Sequence, residues 1–111
     1  MKERLEIKTA QERKSITTQI ERALKGELSI FKEDYRIERD DYETFSEINI
    51  FNDSYMFSWP EIERVQQVFN KYYEKYGIRF LSFTIEATNI TTPSLNMPIS
   101  VPYIRIGVRQ K

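Results

Sequence analysis

The segment SWPEIERVQQVFNKYYEKYG, residues 58–77, constrains the fold more than any other part of the chain. Ser58 and Glu61 have the spacing of a capping box, in which each side chain accepts a hydrogen bond from a backbone N–H at the start of a helix. Gly77 is typical of a helix end. An apolar stripe recurs every three or four residues between them, formed by Ile62, Val65, Phe69, Tyr72 and Tyr76. This period predicts one amphipathic helix whose aromatic rings belong to a core.

A similar pattern occurs near the start of the chain, where Thr9 and Glu12 have capping-box spacing. Apolar residues then recur at helical spacing, at Ile16, Ile20, Ala23 and Leu24. Gly26 follows as a helix stop. We therefore predict a first amphipathic helix over residues 10–25.

The middle of the chain alternates apolar and polar residues, which is the period of β-strands. Residues 27–52 predict two strands joined by a tip at Arg39, Asp40 and Asp41, because Asp tolerates turn conformations. The return strand covers residues 42–51. One of its faces is formed by Ser46, Ile48 and Ile50.

Two further strands are predicted over residues 78–88 and 101–109. One face of the last strand is formed by Ile104, Ile106 and Val108. The linker between the strands, residues 88–100, contains Pro93 and Pro98, and proline cannot donate to a strand ladder. The linker is therefore predicted to be a long, ordered or functional loop.

The element order is then α-β-β-α-β-β, in a single domain over residues 1–111. Two amphipathic helices are expected to pack on one face of a four- to five-stranded, mainly antiparallel sheet, which is an α+β fold. The strand number depends on residues 1–8, where Leu5 and Ile7 alternate with charged residues. That pattern fits either a loose arm or a short leading strand, and with a leading strand the order resembles a ferredoxin-like fold in outline.

The composition excludes several kinds of chemistry. The chain has no Cys and no His, so it has no disulfide, no thiolate metal site and no imidazole to act as general base. Its glycines, at positions 26, 77 and 107, form no phosphate-binding motif. We therefore expect no catalytic residues, no cofactor and a non-enzymatic function.

The composition also indicates a cellular location. The first residues contain no apolar run, and no segment approaches the ~20 apolar residues of a membrane span. The expected location is the cytoplasm, without membrane contact. Ile, Lys, Glu, Tyr, Phe and Thr are plentiful and Ala is scarce, a bias that small accessory proteins of bacteria and phages often share.

Charge is distributed unevenly along the chain, although the net charge is zero. Residues 27–63 contain three Lys or Arg and eleven Asp or Glu, whereas both flanking segments are basic. Carboxylates spaced along strands can occupy a basic groove on another protein. We therefore predict a partner-binding surface on this acidic hairpin, formed by Asp34, Glu38, Asp40, Asp41 and Glu43. The simpler alternative is a solvated surface that only keeps the protein soluble.

A second candidate surface is the aromatic loop, residues 52–59, which reads NDSYMFSW. Aromatic and Met residues are enriched at interface hot spots. We assign Tyr55 and Met56 to the partner-binding surface and expect Phe57 and Trp59 to close the end of the sheet. The predicted function is a protein-binding module that docks to a larger macromolecule as an inhibitor or an assembly component.

Two alternative functions have a different chemical basis. The last strand places Tyr103, Arg105 and Arg109 on one face, where a ring can stack on bases and Arg can hold phosphates of a nucleic acid. The acidic hairpin, extended by Glu33 and Glu47, can instead hold a divalent metal ion for an enzyme, because only oxygen ligands are available. Self-association through exposed strand edges is a further option.

Overall fold

A computed structural model of the protein describes residues 4–91, 94 and 96–111. Its elements are α1 (Ala10–Leu28), β1 (Tyr35–Asp41), β2 (Phe45–Asn52), α2 (Trp59–Tyr76), β3 (Leu81–Ile90) and β4 (Ile99–Arg109). A short 3-10 helix (Ser29–Phe31) follows α1. The predicted order α-β-β-α-β-β is confirmed.

The strands form one antiparallel sheet in the order β1-β2-β4-β3. Both helices pack against one side of it, which we call the helix face. The two central strands supply most of the sheet's share of the core, through Ser46, Ile48 and Ile50 in β2 and Ile104, Ile106 and Val108 in β4. Their alternation confirms the faces predicted for these strands. Neither of the two described helices covers the other side, which we call the open face.

Helix α2 forms as its pattern predicts. The Ser58 side chain accepts from the Glu61 N–H at 3.4 Å, and the Glu61 carboxylate accepts from the Ser58 N–H at 2.8 Å. Gly77 ends the helix with φ of 82°, and a Cβ there would collide with the Arg4 side chain. The stripe faces the core, with Val65, Phe69 and Tyr72 buried and Ile62 and Tyr76 partly buried.

Helix α1 corrects the predicted end at Gly26, because it continues to Leu28. Leu28 is 1% exposed, so the extra turn buries a large apolar side chain. That burial contributes roughly 1.5–3 kcal/mol, which exceeds the roughly 0.5–1 kcal/mol that a glycine costs inside a helix. Residues 27 and 28, which the alternation had assigned to a strand, therefore belong to α1.

We expect Gly26→Ala to raise the free energy of unfolding by about 0.5–1 kcal/mol, since alanine loses less backbone entropy in a helix. An added Cβ at Gly26 meets nothing within 4 Å. Urea denaturation measures the change. Gly77→Ala is the matched control and should destabilise by about 1–3 kcal/mol, because its φ is positive. Destabilisation by Gly26→Ala would contradict a continuous α1.

The first hairpin turns later than predicted, so the prediction of a tip at residues 39–41 is wrong. β1 continues through Asp41, and the turn lies at residues 42–44, where the Tyr42 N–H donates to the Phe45 carbonyl at 2.8 Å. The Asp41 carboxylate accepts from the Ser46 hydroxyl at 2.7 Å and from the Arg39 Nε at 3.2 Å. These bonds keep the acidic end of β1 paired with β2.

In the second hairpin both strands extend farther into the predicted loop, and β3 begins at Leu81 instead of residue 78. β3 continues to Ile90 and β4 begins at Ile99, so the connection is residues 91–98 instead of 88–100. Pro93 lies outside the described residues. Pro102 lies within β4, where its missing N–H is tolerated because β4 pairs with β2 only from Ile104 onward.

The leading segment packs against the rest of the domain, and no strand forms in its described residues 4–8. The Leu5 N–H donates to the Lys75 carbonyl at 2.8 Å, and the Ile7 carbonyl accepts from the Lys111 N–H at 2.8 Å. Ile7 is fully buried. The sheet therefore has four strands among the described residues, without the leading strand that the ferredoxin-like order needs.

One charged residue, Arg13 in α1, is completely buried. Its Nη2 donates to the Tyr42 carbonyl at 2.7 Å, its Nη1 donates to the Glu43 carbonyl at 3.0 Å and to the Gln110 side chain, and its Nε donates to Ser46 at 3.1 Å. The guanidinium thereby joins α1 to the turn of the first hairpin and to the end of the chain.

Candidate functional site

The second hairpin extends beyond the rest of the sheet. β2 pairs with β4 only at residues 104–109, whereas β3 pairs with β4 along its whole length, from Leu81 to Ile90. Residues 86–90 and 99–103 therefore form a two-stranded arm, which we call the hairpin arm. The molecule measures 51 × 30 × 20 Å, and its radius of gyration of 15.2 Å exceeds the about 13 Å expected for a compact chain of this length.

Apart from Glu86, the hairpin arm lies in a long segment without charge. Residues 87–104, ATNITTPSLNMPISVPYI, include no Asp, Glu, Lys or Arg, although charged residues make up 31% of the chain. Met97 is 72% exposed, and Ile90 and Ile99 are partly exposed. This charge-free run could have indicated an apolar surface at this hairpin. The sequence interpretation missed it because it considered only the prolines of the loop.

The aromatic loop lies at the base of the hairpin arm. A small cavity of about 170 Å³ separates them, lined by Arg36, Phe51, Asn52, Asp53, Tyr55, Ile90, Val101 and Pro102. Next to it the Phe51 and Tyr103 rings stack at 5.0 Å, and the Arg36 guanidinium lies 4.5 Å from the Phe51 ring centroid. We call this end of the molecule the arm cleft.

The aromatic loop exposes most of its large side chains. Tyr55 is 46% exposed and Met56 is 66% exposed. Trp59 is also 66% exposed, so the prediction that it closes the end of the sheet is wrong, since its position at the first turn of α2 points away from the core stripe. Phe57 packs against the core, as expected for a residue that closes the sheet.

A buried carboxylate holds this loop in place. Glu61, 5% exposed, accepts hydrogen bonds from the Tyr35 hydroxyl, from Asn52 Nδ2 at 3.1 Å and from the Ser58 N–H at 2.8 Å. Burial alone would raise the pKa of Glu61, but the hydrogen bonds from Tyr35, Ser58 and Asn52 outweigh it and lower the pKa. Burial and the Glu61 charge raise the pKa of Tyr35. The carboxylate is therefore ionised and links β1, β2, the loop and α2.

Tyr55 has a strained backbone conformation. Its φ is 65°, in the left-handed region that residues with a Cβ seldom adopt. Asn52 sustains this conformation, because its carbonyl accepts from the Tyr55 N–H at 2.8 Å and its side-chain oxygen accepts from the Ser54 N–H at 2.9 Å. Such strain costs of order 1–3 kcal/mol and clusters at functional sites. A tyrosine stands here although Gly or Asn would fit the backbone better.

The residues predicted for the acidic hairpin do not form one patch. Asp34 lies at the arm-cleft end, where its carbonyl accepts from the Asp53 N–H at 2.9 Å. Glu38 lies on the open face, 3.0 Å from Arg36 Nε, and Asp40 shares that face. Asp41 lies on the helix face next to Ser46, and Glu43 is exposed in the turn. Among the described residues, no group of three or more acidic side chains is arranged to hold a metal ion.

The nucleic-acid candidates are on the open face, but carboxylates surround them. Arg105 forms ion pairs with the buried Glu47 and, at 3.4 Å, with Glu86, and the Tyr103 hydroxyl donates to Glu86 at 2.8 Å. Burial alone would lower the pKa of Arg105, and these carboxylates more than reverse that effect and raise it. Arg109, the third candidate, is exposed at the other end of the strand.

Neither described helix has the length and apolar character that a membrane crossing requires. No protein-family model, no curated protein and no solved structure gives a significant match to the chain.

Proposed function

We propose that the protein is a non-enzymatic protein-binding module that docks a larger protein partner at the arm cleft. The observation that supports this most is the meeting of two apolar surfaces at one end of the molecule. Tyr55 of the aromatic loop and Ile90 of the hairpin arm line one cavity. Met56 and Trp59 in the same loop, and Met97 in the connection between β3 and β4, add exposed apolar surface. Aromatic and Met side chains with few charges around them are typical of the centre of a protein interface.

Preorganisation of the loop adds support to this proposal. The buried Glu61 network and the Asn52 turn hold the backbone at Tyr55 in place before any partner binds. A loop backbone that is already ordered loses less conformational entropy on binding, which increases affinity without additional contacts. The strain at Tyr55 is then the cost of presenting its ring.

A protein partner fits the site better than a nucleic acid. The hairpin arm carries no cation to neutralise phosphates, and the Arg36 guanidinium at the arm cleft is already paired with Glu38. On the open face the guanidinium of Arg105 is already neutralised by Glu47 and Glu86. In this proposal Asp34 lies at the edge of the docking surface. The other predicted acidic residues, Glu38, Asp40, Asp41 and Glu43, would affect the rate of association through their charge.

The test compares partner capture by three forms of the protein. The wild type is used to isolate and identify a partner from the native host, and direct binding is then measured by calorimetry with the purified pair. Replacing both Tyr55 and Met56 by Ser should weaken binding at least about tenfold, as expected for interface hot spots. Ile78→Ser is the matched control, since Ile78 is 77% exposed and precedes β3, at the end of that strand away from the hairpin arm.

The two surfaces predicted from the sequence can be separated in the same assay. Reversing Asp40 and Glu43 to Lys should slow association at low salt and leave dissociation nearly unchanged. The docking surface would be the acidic hairpin and not the arm cleft if the double variant of Tyr55 and Met56 bound the partner normally while the charge-reversed variant lost binding. Salt-dependent binding of an oligonucleotide by the wild type would overturn the choice of a protein partner.

A further inference from the structure

The two edges of the sheet differ in how they are protected. β1 reads YRIERDD, so five of its seven residues are charged, as is common for an edge that must not pair with another chain. β3, at the other edge, reads LSFTIEATNI and carries only Glu86. That carboxylate is turned toward the sheet by Tyr103 and Arg105. β3 is therefore a ten-residue edge strand without the usual protection.

The hydrogen-bonding groups that β3 leaves unpaired can be identified. The Phe80 carbonyl accepts from the Arg109 N–H at 2.7 Å, so even-numbered residues of β3 direct their N–H and C=O groups toward β4. The odd-numbered residues direct theirs outward. Pro102 agrees with this alternation, since it pairs with Ala87 and its missing N–H would point away from β3. The outward residues are Leu81, Phe83, Ile85, Ala87 and Asn89.

We propose that β3 pairs antiparallel with β3 of a second copy of this chain, about a two-fold axis at Ile85, so that the two four-stranded sheets become one continuous sheet. This inference is independent of the proposed partner at the arm cleft. In this register the outward N–H and C=O groups of the odd-numbered residues 81–89 form hydrogen bonds with the same groups of the second copy. Ile85, which is 50% exposed, packs against its own symmetry mate on the helix face.

Glu86 selects this register over its neighbour. A two-fold axis at Glu86 would place two carboxylates directly opposite each other, which is destabilising. With the axis at Ile85, Glu86 faces Thr84 of the second copy, and Phe83 faces Ala87. A second copy is a better occupant than an unrelated peptide because the strand is complementary to itself in this register and carries no other charge to select a partner.

The test begins with the mass of the purified protein over a dilution series, by light scattering or sedimentation. The wild type should give twice the chain mass of 13.4 kDa at high concentration. Ile85→Lys places two cations on the axis and should weaken dimerisation at least about tenfold. Ile30→Lys is the matched control, because Ile30 is 54% exposed and precedes the opposite edge of the sheet. A wild type that stays monomeric at every concentration would overturn the proposal.

Cysteine cross-linking tests the register itself, and the natural chain has no Cys to interfere. Residues facing each other in a hydrogen-bonded pair have Cα atoms about 5.5 Å apart, which a disulfide can span. Ile85→Cys should therefore cross-link with itself under mild oxidation. Ala87→Cys should not cross-link with itself, but should cross-link with Phe83→Cys in a mixture. Efficient self-linking of Ala87→Cys without that of Ile85→Cys would refute this register.

Discussion

Replacing Arg13 by Ala should lower the free energy of unfolding by about 3–5 kcal/mol. The guanidinium is completely buried and donates to two carbonyls of the first hairpin turn, to Ser46 and to Gln110. Its loss leaves a cavity and deprives those acceptors of their donors, and each buried acceptor without a donor costs about 1–3 kcal/mol. Urea denaturation followed by circular dichroism measures the effect.

Two further variants separate the causes of this loss. Arg13→Lys keeps the charge but has no planar fork, so it cannot reach the same acceptors and should still destabilise the protein. Arg22→Ala is the matched control on the same helix, because Arg22 is exposed, and it should change stability by less than about 0.5 kcal/mol. If Arg13→Ala cost no more than Arg22→Ala, the buried hydrogen-bond cluster would not stabilise the fold.

Glu61→Gln should destabilise the protein by about 1.5–3 kcal/mol at neutral pH, which is the range for hydrogen bonds to a charged group. The carboxylate accepts from Tyr35, Asn52 and Ser58, and an amide can replace only part of that acceptor capacity. The loss should appear in urea denaturation at pH 7. Glu63→Gln, at an exposed position of the same helix, serves as the control.

The same substitution should change the pH dependence of stability. The pKa of Glu61 is lowered from its ordinary 4.5 in the folded protein, so its contribution is complete above pH 4.5 and is lost as the pH falls through the folded pKa. The wild type should therefore lose stability below pH 4.5 more steeply than Glu61→Gln. The pKa of Tyr35 is raised from its ordinary 10.0 in the folded protein, so its contribution to stability is complete below pH 10 and decreases as the pH rises above that value. Parallel acid profiles for the wild type and Glu61→Gln would contradict the role of this carboxylate.

Local signals predicted those elements whose stabilising contacts lie within a few residues. The capping box of Ser58 and Glu61, the apolar stripe and the stop at Gly77 all act within one helix, and α2 forms over nearly the predicted range. The alternation in β4 likewise identified its buried face. The first turn of α1 followed its cap at Thr9, whose side chain accepts from the Glu12 N–H at 3.0 Å.

Predictions were wrong where a distant contact outweighed a local preference. Gly26 would stop an isolated helix, but burial of Leu28 continues it. Residues 39–41, with two aspartates, favour a turn, but they remain in β1. Arg39 donates to the Lys14 carbonyl of α1, and Asp41 accepts from the Ser46 hydroxyl. The error at Trp59 has a local cause: this large aromatic residue is of a type common in cores, but its place in the first turn of α2 leaves it exposed.

The candidate site shows the same division between local and distant information. The assignment of Tyr55 and Met56 to a binding surface came from residue type alone, and the charge-free run of residues 87–104 is visible in the printed chain. These two segments lie at one end of the molecule because of the strand order β1-β2-β4-β3. In that order β2 pairs with β4, whose paired residues are more than fifty positions apart in the chain. Helix periods, strand alternation and the missing Cys and His are set by neighbours along the chain. The burial of Arg13, the hairpin arm and the unprotected edge of β3 exist only once the distant strands have paired.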